Sequence, residues 1–152
     1  MKAEQTQKKR RTDCPEEVLF LDLIRTADLL SRGPAAVLKS EELSSNQYNV
    51  LRILRGSPEG LPCGEVACRM ITRDPDITRL LDRLEKRSLI SRSRETKDRR
   101  MVMARITPEG LTLLRHLDEP VRESHRRQLG HLSSSQRQTL TGLLLAARAA
   151  LS

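Results

Sequence analysis

The sequence predicts a mainly α-helical (α+β) domain with one short β-hairpin. Residues 74–87 form a short amphipathic segment with arginines on its outer side, and residues 89–106 are predicted to form two short strands around a polar, arginine-rich tip. Helix-start signals occur before and after these segments. The order helix, turn, basic helix and basic hairpin predicts a winged helix-turn-helix with a two-stranded wing, a module that binds duplex DNA.

Composition and charge agree with a DNA-binding domain. The chain has 152 residues, enough for one domain with a buried core, and 37% of them are hydrophobic. The net charge of +8 favours a polyanionic partner, nucleic acid before membrane. Residues 69–100 hold eleven Lys/Arg against six Asp/Glu, so positive charge is concentrated in the segment predicted to bind DNA.

Several classes of protein are disfavoured. No apolar run approaches the roughly 20 residues of a membrane-spanning helix, and residues 1–11 are too polar for a signal peptide. We therefore expect a cytoplasmic protein with reduced cysteines and no membrane partner. The sequence has no glycine-rich phosphate loop, nucleophile elbow or metal triad at helical spacing. We expect no catalytic residues, no metal site and no cofactor, and the protein is predicted not to be an enzyme.

The N-terminal region is predicted to be a tail and a long helix. Residues 1–12 carry five Lys/Arg and one Glu without apolar periodicity, which predicts a disordered basic tail. A first helix is predicted over about 15–38, starting near Pro15. Apolar residues cover more than half of its circumference, so it needs two packing partners. Its own domain and a second subunit would supply them.

The winged lobe is predicted over about 43–107. Ser44 and Gln47 form a capping box for the second helix, and Gly56 ends it. A short third helix follows from about Pro62 to Met70. The recognition helix is predicted to have Asp74 as its N-cap and Pro75 at its first position.

Two further helices are predicted after the wing, over about 107–129 and 133–151. Thr107 and Ser133 supply their starts. Their apolar stripes exceed what one winged lobe can cover, and pairing with a second copy is the simplest closed solution. Residues 13–152 are thus predicted to form one domain, a homodimer joined through the helices at about 15–38, 107–129 and 133–151.

The candidate DNA contacts follow from helical spacing and from the wing. The recognition helix and its preceding turn supply Arg73, Thr78, Arg79 and Arg83; the wing supplies Arg92, Arg94, Lys97, Asp98, Arg99 and Arg100. Arginines can bind guanine edges bidentately or clamp phosphates. Asp98 is expected to pair with a neighbouring arginine and stiffen the turn. The alternative is that Arg79 and Arg83 only form surface ion pairs with Asp76, Asp82 or Glu85.

Cysteines and histidines give weaker indications. Cys63 and Cys68 are five residues apart, a poor spacing for zinc, and no CxxC motif occurs. Cys14 lies near a helix start, where a thiol could become reactive. His116, His125 and His131 are predicted to be surface or dimer-interface residues.

The order and spacing of several motifs resemble the MarR (multiple antibiotic resistance regulator) family of bacterial transcription factors. The motifs are LSSNQYNVL at 43–51, GEVA at 64–67, ITRLLDRLEKRSLI at 77–90, DRR at 98–100 and ITPEG at 106–110. Two departures stand out. Ser88 replaces the glycine usual between recognition helix and wing, and Asp-Pro-Asp replaces the small hydroxyl residues common at the start of the recognition helix.

The resemblance implies a homodimer that binds a pseudo-palindromic operator, most often as a repressor, and that a small-molecule effector or cysteine oxidation releases. It also implies that Arg100 is the arginine that enters the minor groove. Residues that could line an effector pocket are Leu23, Ala27, Tyr48, Leu51 and His116. The alternatives are a thiol-based redox-sensing regulator of the same fold and a winged-helix protein-interaction module without a DNA target.

Overall fold

A computed structural model describes residues 14–151 of the chain. The predicted tail, residues 1–12, lies outside the described residues. Within the described range the elements are α1 (Pro15–Lys39), α2 (Ser45–Arg55), β1 (Leu61–Pro62), α3 (Cys63–Arg69), α4 (Ile77–Lys86), β2 (Ile90–Arg94), β3 (Val102–Ile106), α5 (Pro108–Leu129) and α6 (Ser134–Ala149). The chain divides into two compact units between residues 32 and 33, within α1, and each unit is described by itself below.

The winged lobe surrounds a single aliphatic core in the unit that begins at residue 33. Fully buried leucines come from several elements, among them Leu51 and Leu54 of α2, Leu81 and Leu84 of α4, and Leu114 of α5. Each belongs to the apolar side of an amphipathic helix, as the periodicity predicts. Packing against one core fixes the direction in which the polar side of α4 faces.

Helix starts are fixed by side-chain caps at the predicted positions. Ser44 and Gln47 form both hydrogen bonds of a capping box at α2, and Ser133 and Gln136 do the same at α6. The Thr107 hydroxyl accepts a hydrogen bond from the Gly110 N–H at the start of α5. The predictions for these three starts are confirmed.

The small sheet has one strand more than the two predicted. Its order is β1-β3-β2 with both pairs antiparallel, and β1 is the two-residue segment in which Leu61 pairs with Ala104 and Pro62 with Met103. A proline is tolerated because β1 lies at the edge of the sheet. The third helix was predicted to start at about Pro62, and it begins one residue later, at Cys63.

The recognition helix α4 begins later than predicted. Its N-cap is Asp76, whose carboxylate accepts a hydrogen bond from the Arg79 N–H at 3.0 Å. Asp74 and Pro75 therefore precede the helix, and the prediction of Asp74 as N-cap was wrong. Asp74 instead accepts from the Asp76 N–H at 2.9 Å and so holds the turn before the helix.

Apolar side chains remain exposed on two helices. In the unit up to residue 32, the N-terminal part of α1 exposes Val18, Leu19, Phe20, Leu23, Ile24 and Leu29. In the second unit, α6 has no buried residue and exposes Leu140, Leu143 and Leu145. None of the described helices is both long enough and apolar enough to span a bilayer.

Candidate nucleic-acid interface

A hydrogen-bond network holds the turn between α3 and α4 against α2. The Asn46 amide donates to Asp74 at 2.8 Å and accepts from the Thr72 hydroxyl at 3.0 Å. One turn further along α2, the Asn49 side chain accepts from the Ile71 N–H at 2.8 Å. These polar anchors, absent from the sequence analysis, fix the entry into α4. The signal available in the sequence was the pair of asparagines three residues apart.

The outer side of α4 is polar and positively charged. Arg73, Thr78, Arg79 and Arg83 are all exposed, whereas Leu80, Leu81 and Leu84 are buried on the opposite side. Arg79 has one ionic neighbour, Asp76, at 3.9 Å and with both side chains more than half exposed. Such a pair contributes little and leaves the guanidinium available.

Arg92 of the wing forms ion pairs with two carboxylates of α4, those of Asp82 and Glu85. Its backbone N–H donates to Glu85 at 3.0 Å, and its guanidinium donates to Glu85 at 2.7 and 3.1 Å and also to Asp82. The hydrogen bond with Glu85, and then that with Asp82, raise the pKa of Arg92 against the opposing effect of burial. We name these three residues the wing clasp.

The wing clasp changes the interpretation of two sets of residues. Arg92 was expected to contact a phosphate, but its donors are directed at two carboxylates and its side chain is only 21% exposed. We therefore assign it to holding β2 on α4. Asp82 and Glu85 are paired with Arg92, and they are not the ion-pair partners of Arg83 that the alternative interpretation required. Within residues 14–151, Arg83 forms no ion pair.

At the turn from α4 into the wing, the helix ends at a residue in the left-handed conformation. The Ser88 N–H donates to the Glu85 carbonyl at 2.8 Å, and the Leu89 N–H donates to the Leu84 carbonyl at 3.1 Å. This is the Schellman pattern, and Ser88 adopts its left-handed position with φ of 58°. The requirement for that φ explains why glycine suits this position better than serine.

The wing tip is shaped by main-chain hydrogen bonds around Asp98. Its carboxylate accepts from the Arg100 N–H at 2.9 Å, and its carbonyl accepts from the Met101 N–H at 3.0 Å. The expected ion pair between Asp98 and a neighbouring arginine does not occur among the described residues. Asp98 thus stiffens the turn through backbone donors, and the side chains of Arg94, Lys97, Arg99 and Arg100 all stay exposed.

Arg105 of β3 holds the wing in place through contacts with neighbouring segments. The sequence did not predict this role. The Arg105 guanidinium donates to the Ser93 hydroxyl at 2.9 Å and to the Glu59 carbonyl at 3.1 Å, and it lies 3.8 Å from Glu95. It thereby joins β3 to β2 and to the loop before β1. Its place on a strand of alternating residues gave no sign of these three partners.

In the second unit, the residues expected to line an effector pocket differ in burial and in surroundings. Leu51 is fully buried in the core. Tyr48 is half-buried, and the Arg52 guanidinium lies over its ring, 5.8 Å from the ring centre. His116 lines a shallow depression with Pro108 and Leu113 that includes neither Tyr48 nor Leu51. Leu23 and Ala27 are exposed in the first unit.

The cysteines do not form a metal centre or a disulfide. No group of three or more metal-ligating side chains occurs in the part of the chain that the structure describes. Cys14 and Cys68 are exposed, and the Cys14 thiol donates to Glu16 at 3.3 Å. Burial raises the pKa of the half-buried Cys63 thiol, which disfavours its reactive thiolate.

An exposed basic helix, a preceding anchored turn and an arginine-tipped wing define a winged helix-turn-helix DNA-binding protein. Residues 43–102 match the model of the MarR family. The chain is 42% identical to a MarR transcription factor from Planctomyces limnophilus, with 90% of this chain and 99% of that chain covered and a TM-score of 0.69. The chain belongs to the MarR family.

Two other proteins to which the chain is similar are named as transcriptional regulators. The homoprotocatechuate degradative operon repressor of Escherichia coli is 28% identical over 108 residues, which span 71% of this chain and 72% of the repressor. The PcaV transcriptional regulator from Streptomyces coelicolor, solved in complex with its natural ligand, is 26% identical with a TM-score of 0.71, covering 83% of this chain and 91% of PcaV. The chain is accordingly a DNA-binding transcriptional regulator and not an enzyme.

Proposed function

We propose that this regulator represses transcription as a homodimer on a pseudo-palindromic operator. The observation that carries the proposal is the exposed, positively charged side of α4 next to an arginine-tipped wing, with the intervening carboxylates Asp82 and Glu85 paired with Arg92. Two such lobes related by a twofold axis would read two half-sites about one helical turn apart. The protein would act in the cytoplasm, where the chromosome is found.

The proposed contacts divide by groove. Arg79 and Arg83 contact base edges in the major groove, where each base pair has a distinct pattern of donors and acceptors, and Arg73 and Thr78 hold flanking phosphates. Arg100 enters the minor groove, and Arg94, Lys97 and Arg99 contact phosphates beside it. Asp98 and Arg92 hold the wing in shape and do not contact DNA.

The proposed dimer contact uses the helices whose apolar side chains are exposed. Leu143 is 64% and Leu140 42% exposed on α6, and Phe20 is 58% exposed on α1. A soluble monomer rarely leaves so many large apolar residues in water on one element. A second copy of the chain would cover these helices. A dimer with twofold symmetry would also match the symmetry of a pseudo-palindromic operator.

The proposed switch is a small-molecule effector. PcaV, a relative, was solved with its natural ligand. We propose that a ligand binds near Tyr48 or His116 in the second unit, or near Leu23 and Ala27 in the first, whereas the fully buried Leu51 could act only through repacking of the core. A thiol switch remains the alternative, and it predicts that peroxide abolishes DNA binding and that a thiol reductant restores it.

Genomic footprinting of the protein on its own chromosome tests the proposed function. We expect a few strongly occupied duplex sites that share a pseudo-palindrome and lie at promoters. Their neighbouring genes would indicate the class of the effector. A protein-interaction module without a DNA target would give no enriched duplex sites. Retention of such a module on heparin would show only that it binds a polyanion.

A further inference from the structure

A second basic surface lies beside the recognition helix. A groove of about 870 Å³ opens between the end of α1, the start of α2 and the second half of α4. Lys39, Arg83, Lys86 and Arg87 line it, and Glu42 is the one carboxylate in the lining. All of these residues belong to the unit that begins at residue 33. We name this surface the flank groove.

Most of the positive charge in the flank groove is not engaged in ion pairs among residues 14–151. Lys39, Arg83 and Lys86 are exposed and form none of these ion pairs, although the charge of Arg83 helps to lower the pKa of Asp74. Arg87 differs, because its guanidinium donates to the carbonyls of Glu41 and Glu42 at 2.9 and 3.0 Å. Three cations thus face solvent around a single carboxylate, an arrangement that attracts an anion.

The wall of the groove is fixed rather than loose. Glu42 adopts a left-handed φ of 52°, and the Leu43 N–H donates to the Leu38 carbonyl at 3.1 Å, which closes the end of α1. Arg87 binds the same turn from α4. Since α1 ends at Lys39, this connection sets the position of the Lys39 backbone relative to α4. Charges on a fixed frame bind an anion at a smaller entropic cost than charges on a mobile loop.

The flank groove is continuous with the predicted DNA-binding side of α4. Arg83 lines the groove and also lies on the outer side of the helix with Arg79. The first turn of α2 reaches the start of the recognition region through the hydrogen bond between Asn46 and Asp74. A polyanion that follows α4 from Arg79 past Arg83 would therefore meet Lys86 and then Lys39.

We propose that the flank groove binds the DNA phosphate backbone next to the bases that α4 contacts, with Lys39 and Lys86 as the phosphate-binding residues. The proposal rests on the DNA-binding function given above. Lysine is a compact, hydrated point charge that suits a phosphate in an open groove. Such contacts fix the register of a protein on the duplex and add affinity without base preference.

The test compares two double variants on a duplex selected by the unmodified protein from a random pool. Lys39→Gln with Lys86→Gln removes the two groove cations. Arg115→Gln with Arg127→Gln removes the same charge from exposed positions on α5 that do not line the groove. Because the lysines are exposed, both variants should unfold at the temperature of the unmodified protein.

The groove variant should lower the slope of log Kd against log salt by about two per lobe, because each lost phosphate contact removes roughly 0.9 of a unit. The bases that the groove variant prefers should stay unchanged. Ethylation of the phosphates next to the groove should block binding of the unmodified protein but should no longer affect binding of the groove variant. The control should keep the original slope and ethylation pattern. A groove variant that matches the control in both readouts would overturn the proposal, even though DNA binding itself persisted. Failure of the unmodified protein to select any duplex would instead contradict the proposed function.

Discussion

Arg92 of the first wing strand binds Glu85 of the recognition helix through its backbone N–H and its guanidinium together, at distances of 2.7 to 3.1 Å. The same guanidinium reaches Asp82. One arginine thus orients the wing against α4 and offsets part of the negative charge of two carboxylates that would otherwise repel phosphates more strongly. This relationship joins the two parts of the DNA-binding surface.

The first prediction concerns this wing clasp. Arg92→Gln should weaken DNA binding, because it frees the wing and leaves Glu85 and Asp82 unpaired beside the DNA; loss of hydrogen bonds to charged groups typically costs about 1.5–3 kcal/mol. Adding Glu85→Gln to Arg92→Gln should recover part of the affinity, since it removes a repulsive charge. The measurement is the Kd of each variant on one duplex. If Arg92 were a phosphate contact and not a partner of Glu85, Glu85→Gln would change the Kd by the same factor in the unmodified protein and in Arg92→Gln.

The second prediction concerns backbone strain at Ser88. Ser88→Gly should raise the free energy of unfolding by about 1 kcal/mol, because a left-handed φ is costly for a residue with a side chain. Ser91→Gly is the control: Ser91 lies within β2, where glycine weakens a strand. Urea denaturation should therefore show opposite signs for the two substitutions. Equal effects would remove the strain argument.

The third prediction concerns the ion pair between Arg55 of α2 and Asp118 of α5. One guanidinium nitrogen donates to both carboxylate oxygens, at 3.0 and 2.8 Å, and this hydrogen bonding holds the pKa of Asp118 below its ordinary value. A lowered pKa in the folded state stabilises the protein above the unfolded value near 3.8, and that stability is lost as pH falls through the folded value.

Asp118→Asn should accordingly destabilise the protein by about 1 kcal/mol at neutral pH. The difference from the unmodified protein should shrink as pH falls below the unfolded value. Urea denaturation from neutral pH to the acid limit of folding measures both effects. Asp28→Asn is the control, because the Asp28–Arg32 pair is more than half exposed and should contribute little. A difference that grew on acidification would have the wrong sign for this account.

The fourth prediction concerns self-association. Leu143→Asp should dissociate the proposed dimer, because it places a charge where the proposed contact buries apolar surface. Gln138→Asp, an exposed polar position on the same helix, should leave the dimer intact. Sedimentation at micromolar concentration separates the species. A stable, folded monomer of the unmodified protein would end the proposal of a dimer.

The sequence predicted the helices and the wing because their signals are local. Capping boxes such as Ser44 with Gln47 need only four neighbouring residues, and the apolar side of α4 follows from helical periodicity. The left-handed turn at Ser88 could also be anticipated from the position where the resemblance places a glycine. Local chemistry of this kind can be read directly from the chain.

What the sequence did not predict depends on contacts between distant segments. The strand at Leu61 exists only because Ala104 pairs with it. The first predicted cap, Asp74, is held by Asn46, which lies 28 residues earlier, so Asp76 caps α4 instead. Arg92 resembled its neighbour Arg94 in sequence, yet the geometry of the hairpin brings only Arg92 onto the carboxylates of α4. Pairing of this kind is invisible until the fold is known.

Binding selection from a random duplex pool tests the central claim most directly, that α4 supplies base preference and the wing supplies affinity. The unmodified protein should select a pseudo-palindrome. Arg79→Ala should cost roughly 1–3 kcal/mol and blur one position in each half-site, if this arginine contacts a base. Arg100→Ala should weaken binding while the preferred major-groove bases stay the same, because the minor groove separates A·T from G·C only coarsely. A changed half-site with Arg100→Ala, together with an unchanged one for both Arg79→Ala and Arg83→Ala, would contradict the account.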